Sequence, residues 1–160
     1  IRFADTFTLL SVIFGFMTII FSIRGWHNTA SIMMILAVAA DYLDGKIARV
    51  MQQSSDFGKE LDSLGDTISF GVAPAIFGFS LIQTPLAAIS FTIFMFCGIL
   101  RLARFNLTRL KGEYQGMPIT LNGIIIPIIF FLDVPKLYYP YAYLILSALM
   151  ISSLRVRKLV

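Results

Sequence analysis

Six apolar stretches recur along this chain, at 8–23, 31–43, 68–82, 86–100, 119–132 and 137–154. Each approaches the ~20 residues that carry a helix across a bilayer. Several reach that length only when polar residues at one end are counted. Those ends are expected inside protein rather than against lipid, where unsatisfied polar groups are costly. The chain is 58% hydrophobic and 14% charged, with a mean hydropathy of +0.83, well beyond the apolar share of an ordinary soluble domain. The expected fold is an all-α integral membrane protein, a six-transmembrane-helix bundle forming a single domain over 1–160. A short interfacial segment at 1–8 leads into the first span, with Asp5 or Thr6 as its cap. Pro127 interrupts the fifth span.

The placement of Lys and Arg fits this threading, because cytoplasmic loops collect positive charge. One side receives Arg2, Lys46, Arg49, Lys59, Arg101, Arg104, Arg109, Lys111, Arg155, Arg157 and Lys158; the other keeps Arg24 and Lys136. Both termini are therefore expected in the cytoplasm of a multi-pass cell-membrane protein. The net charge of +4 reads as topology plus attraction to anionic headgroups, not as a nucleic-acid footprint. The single Cys97 has no partner for an internal disulfide and is expected to pack. No cleavable signal peptide is evident, and Ile1 is read as lying inside a longer native chain. His27 is expected in an outer loop, solvated. The aromatics Phe130, Phe131, Tyr138, Tyr139, Tyr141 and Tyr143 are expected as an interfacial belt. Gly71, Ala75 and Gly78 are read as a close helix contact.

Four of the nine acidic residues, Asp41, Asp44, Asp62 and Asp66, fall in or beside spans two and three. At 100° per residue, Asp41, Asp44, Gly45 and Ala48 share one helix face, while Gly58, Asp62 and Asp66 share a face of the next. Two antiparallel helices then present four carboxylates to one another. Such a group in a low-dielectric place needs compensating positive charge. Oxygen-only ligands suit hard divalent cations, and the absence of a nearby His or Cys argues against zinc. Gly45, Ala48, Gly58 and Gly65 clear bulk beside the carboxylates, and Arg49, Lys46 and Lys59 stand close by. Divalent metal with an arginine suits a diphosphate under attack at phosphorus.

Asp41-Tyr-Leu-Asp44-Gly45-Lys-Ile-Ala48-Arg49, eight residues, then Gly58-Lys-Glu-Leu-Asp62-Ser-Leu-Gly-Asp66 resembles the signature of the CDP-alcohol phosphatidyltransferase family at all eight fixed positions. The runs Ser69-Phe-Gly-Val-Ala-Pro-Ala75, Cys97-Gly-Ile-Leu-Arg101-Leu-Ala-Arg104-Phe-Asn106 and Gly116-Met-Pro-Ile-Thr120 resemble its phosphatidylserine synthase branch. So does Asp5-Thr-Phe-Thr8-Leu-Leu-Ser11, although Ser11 stands where Asn is more usual. The resemblance implies a phosphatidyl transfer from a CDP-linked lipid to the serine hydroxyl, releasing CMP. It implies that Asp41, Asp44, Asp62 and Asp66 hold metal, two ions of Mg²⁺ or Mn²⁺ with Ca²⁺ as another occupant, and that Asp66 is also the base. Gly45, Ala48, Arg49 and Gly58, with Thr8 and Asp5, would then face the nucleotide and diphosphate, and a homodimer is expected. A serine carboxylate calls for a cation, and Arg101 or Arg104 is expected to read it or the donor's phosphate. Two alternatives remain: the same chemistry on glycerol phosphate or inositol phosphate, and a cation-coupled carrier. A carrier needs no Gly-Ala-Arg grouping, and the inverted repeats common in carriers are not found here.

Overall fold

The computed structural model describes residues 3–52, 56–108, 113–115, 119–151 and 155–157. Helix α1 (Phe3–Ile23) turns back through Gly25, whose φ of +79° suits glycine, into α2 (His27–Val50). A second long rod follows: α3 (Asp56–Asp66), a π-helical stretch (Thr67–Val72) and α4 (Ala73–Leu81). Thr84 then accepts a hydrogen bond from the Ala87 amide at 3.1 Å, and Pro85 opens α5 (Pro85–Thr108). A hydroxyl cap followed by a proline whose missing N–H costs nothing is a strong helix start. A 3₁₀ turn (Ile119–Leu121) leads into α6 (Asn122–Phe131), and another (Lys136–Tyr138) into α7 (Tyr139–Ile151).

Among the described residues, the six expected apolar stretches fall largely on helix. Three of the helices, Asp5–Ile23, Asp56–Leu81 and Pro85–Arg104, are long and apolar enough to cross a membrane. The fifth stretch is a shorter apolar helix that keeps Pro127 inside α6. Helix α1 already begins at Phe3, so Asp5 lies in its first turn and is no cap. The expected turn at Ser54 and Ser55 falls mostly outside the described residues, as do 109–112 and 116–118 of the long polar connection. The extended backbone among the described residues is a two-stranded antiparallel ribbon. It pairs β1 (Glu113–Gln115) with β2 (Arg155–Arg157), Tyr114 opposite Val156.

Packing is most extensive between α1 and α2 and between α5 and α7, while α4 touches both α1 and α5. The core between α4, α5 and α7 is aromatic. Tyr143 is buried with its ring 4.5 Å from Phe91 and 4.9 Å from Phe94, and its hydroxyl donates to the Pro74 carbonyl at 2.6 Å. A Cβ on Gly78 would come within 2.9 Å of the Phe91 and Tyr143 rings, so that small residue serves this internal seam. The aromatic belt is therefore partial: Phe131, Tyr138 and Tyr141 are exposed, but Tyr139 and Tyr143 are core.

His27 is not a solvated loop residue. It opens α2 half-buried, bonds the Ser80 hydroxyl at 3.0 Å and lies against Phe77 and Phe130. Ser80 donates its own hydrogen to the Phe77 carbonyl, so Nε2 of His27 is the donor to Ser80. Burial and the nearby Lys136 ammonium lower the His27 pKa.

Candidate active site

Helix α1 buries a stripe of polar and small residues, Asp5, Thr8, Ser11, Gly15, Thr18 and Ser22. They recur at the three- and four-residue spacing that makes one helix face. Its exposed residues include Leu9, Leu10, Ile13, Phe16 and Met17, so a largely apolar face is turned outward. Inside a bilayer small residues let backbones approach and hydroxyls bond across helices. Ser11 donates to the Ala37 carbonyl of α2 at 3.1 Å, and Ser69 of the π-helical stretch donates to the Ser11 carbonyl at 3.0 Å. A Cβ on Gly15 would sit 2.7 Å from the Ser69 Cα, and one on Gly65 would sit 2.9 Å from Val12. Gly65 therefore serves the contact with α1, not ligand clearance as the sequence suggested.

This close packing brings α2 and α3 together at one end. Asp41, Asp62 and Asp66 each present a carboxylate oxygen, and the three atoms lie within 4.8 Å of one another. Asp41 lies within hydrogen-bonding reach of both others. The expected group of four is thus three together and one beside them. Asp44, 8% exposed, accepts a hydrogen bond at Oδ2 from the Thr8 hydroxyl of α1, and Asp62 and Asp5 lie close enough for their charges to act on it. Three converging carboxylate oxygens, with no imidazole or thiol among them, fit a hard divalent cation.

The neighbours differ in what the structure gives them. A Cβ on Gly45 would meet nothing within 4 Å, so the backbone beside Asp44 borders open space. Ala48 and Gly58 are half-buried, and Arg49 is exposed on the last turn of α2. Asp5 is buried beside the site. Arg101 is 5% exposed within the bundle. Arg104 donates to the Met150 and Ile151 carbonyls, each at 3.3 Å, and so caps the end of α7. Sequence reasoning missed the cross-helix roles of Ser11 and Ser69. The three- and four-residue recurrence of hydroxyl and small side chains in the first span was the signal available.

The chain belongs to the CDP-alcohol phosphatidyltransferase family, whose model matches residues 1–154. It is 40% identical over 126 residues to a CDP-diacylglycerol–serine O-phosphatidyltransferase of Methanocaldococcus jannaschii, covering 79% of this chain and 59% of that protein. It is 37% identical over 166 residues to an archaetidylserine synthase of Methanothermobacter thermautotrophicus, covering 96% and 69%. A CDP-diacylglycerol–serine O-phosphatidyltransferase of Saccharomyces cerevisiae is 40% identical over 116 residues, covering 68% and 42%. The chain thus spans less than two thirds of the length of two of these three relatives.

Proposed function

We propose that this chain transfers a phosphatidyl group, or its ether-lipid equivalent, from a CDP-linked lipid to the hydroxyl of serine, releasing CMP. The observation that carries the reading is the convergence of Asp41, Asp62 and Asp66 within 4.8 Å in a chain of this family. Relatives named for serine transfer supply the acceptor.

Asp41, Asp62 and Asp66, with Asp44 beside them, hold divalent cation, Mg²⁺ or Mn²⁺, as two ions. When bound, it offsets the charge of the diphosphate and of the departing CMP. The protein's own groups do the rest. Asp66, 9% exposed, takes the proton from the serine hydroxyl as its oxygen forms a bond to the lipid-side phosphorus. The bond from that phosphorus to the CMP oxygen breaks, and its electron pair leaves with CMP. Open space at Gly45 and the exposed Arg49 support a nucleotide diphosphate lying along the end of α2, with Ala48, Gly58 and Asp5 around it. Arg101, buried within the bundle, or Arg104, at the end of α7, reads the serine carboxylate or the donor's phosphate.

The eleven-to-two division of Lys and Arg supports six spans, cytoplasmic termini and a site opening to the cytoplasm of the cell membrane. A homodimer remains the expected assembly. Purified protein is assayed with Mn²⁺ or Mg²⁺, a CDP-lipid and a panel of acceptors. Serine-dependent CMP release that falls by ~10²–10⁴-fold in Asp66→Asn is expected. Release only with glycerol phosphate or inositol phosphate would replace the acceptor, and no turnover with any CDP-lipid would overturn the reading.

A further inference from the structure

Three hydroxyls on the buried face of α1 show what a helical Ser or Thr can do. Thr18 and Ser22 return theirs to their own helix, donating to the Phe14 and Thr18 carbonyls at 3.0 and 2.7 Å. That local bond is open to any helical threonine. Thr8 instead donates across the α1–α2 interface to Oδ2 of Asp44. Its methyl meets the third helix: a Gly65 Cβ would sit 3.6 Å from Thr8 Cγ2, one residue before Asp66. A β-branched side chain has few rotamers, and this one is 3% exposed, facing the Gly65 backbone of α3 on one side and bonded to α2 on the other.

We propose that Thr8 is the positioning residue for Asp44. It fixes one carboxylate oxygen and leaves Oδ1 for a cation shared with the Asp41, Asp62 and Asp66 cluster. The inference rests on the metal reading given above and moves Thr8 from the nucleotide to a place behind a ligand. Partners that orient a metal ligand typically change metal affinity by ~10–100-fold when removed. Thr8→Val keeps the shape and deletes the donor, whereas Thr8→Ser keeps the donor. Ser11→Ala removes a neighbouring α1–α2 hydrogen bond that ends on a carbonyl and touches no carboxylate.

The test is Mn²⁺ affinity of the detergent-purified chain, read by electron paramagnetic resonance without nucleotide, alongside the thermal midpoint. Thr8→Val is expected to bind Mn²⁺ at least ~10-fold more weakly, with Thr8→Ser and Ser11→Ala near the wild type. Should Thr8→Val not fold, Thr8→Ala carries the comparison. Wild-type affinity in the donor-less variant, or equal weakening in Ser11→Ala, would overturn the role of Thr8. Wild-type protein that binds no Mn²⁺, or binding undiminished in Asp41→Asn, would overturn the metal reading itself.

Discussion

Along α1 the buried face is Asp5, Thr8, Ser11, Gly15, Thr18 and Ser22, whereas between α4, α5 and α7 it is Gly78, Phe91, Phe94 and Tyr143. Both seams lie in helices whose outward faces are equally greasy, so neither gains from the transfer of oil out of water within a bilayer. Contact and hydrogen bonding must hold them. The aromatic seam fills a wide gap with large rings and satisfies its one buried phenol on the Pro74 carbonyl. The small-residue seam draws backbones close enough for hydroxyls to cross between helices. Only the second arrangement sets carboxylates from different helices within a few ångströms. Proximity of the acids is thus a product of what α1 lacks in bulk.

The contrast can be broken most severely at Gly15. A valine there would push into the Ser69 backbone, and overpacking of this kind costs ~1–3 kcal/mol. The thermal midpoint of Gly15→Val in detergent is expected to fall and CMP release with it. Gly45→Ala, with open space around the new carbon, should leave the midpoint unmoved; equal damage from both would erase the distinction between packing and ligand room. Tyr143→Phe comes next. It removes the hydroxyl's hydrogen bond to the Pro74 carbonyl, worth ~0.5–1.5 kcal/mol, and is expected to lower the midpoint while the serine KM stays put. A shifted KM would join the aromatic seam to the chemistry.

The smallest effect concerns His27. Its pKa is lowered by burial first and Lys136 second, so the unfolded chain binds the extra proton at higher pH than the folded one. Stability is then complete above pH 6.5 and declines as pH falls below it. Midpoints measured across that range should flatten in His27→Leu. An unchanged slope would remove His27 from the account.

Much of this was legible beforehand. The six apolar stretches fell largely on helix, and Asp62 and Asp66, four residues apart, share the helix face that meets Asp41 because helical periodicity is rigid over a few turns. The bond from Thr8 to Asp44 escaped, since the two lie 36 residues apart and no local pattern encodes that. Tyr143 and His27 misled for the opposite reason. Their composition fits a membrane interface, and only tertiary packing puts one beneath Phe91 and the other against Ser80. The hydrogen bonds of Arg104 to the end of α7 were likewise beyond local pattern.

The wide turn at Thr67–Val72 has a mechanical corollary. A π-type winding accommodates an additional residue, and one residue is about 100° of rotation. The rod that carries Asp66 below and Pro74, Phe77 and Gly78 above is therefore two screws joined out of phase. The lower end packs against α1, and the upper end packs against both α1 and α5, where Pro74 also receives the Tyr143 hydroxyl of α7. Excising a single residue from that joint would let only one end stay engaged, so the length of this stretch is a gear ratio between anchoring and chemistry.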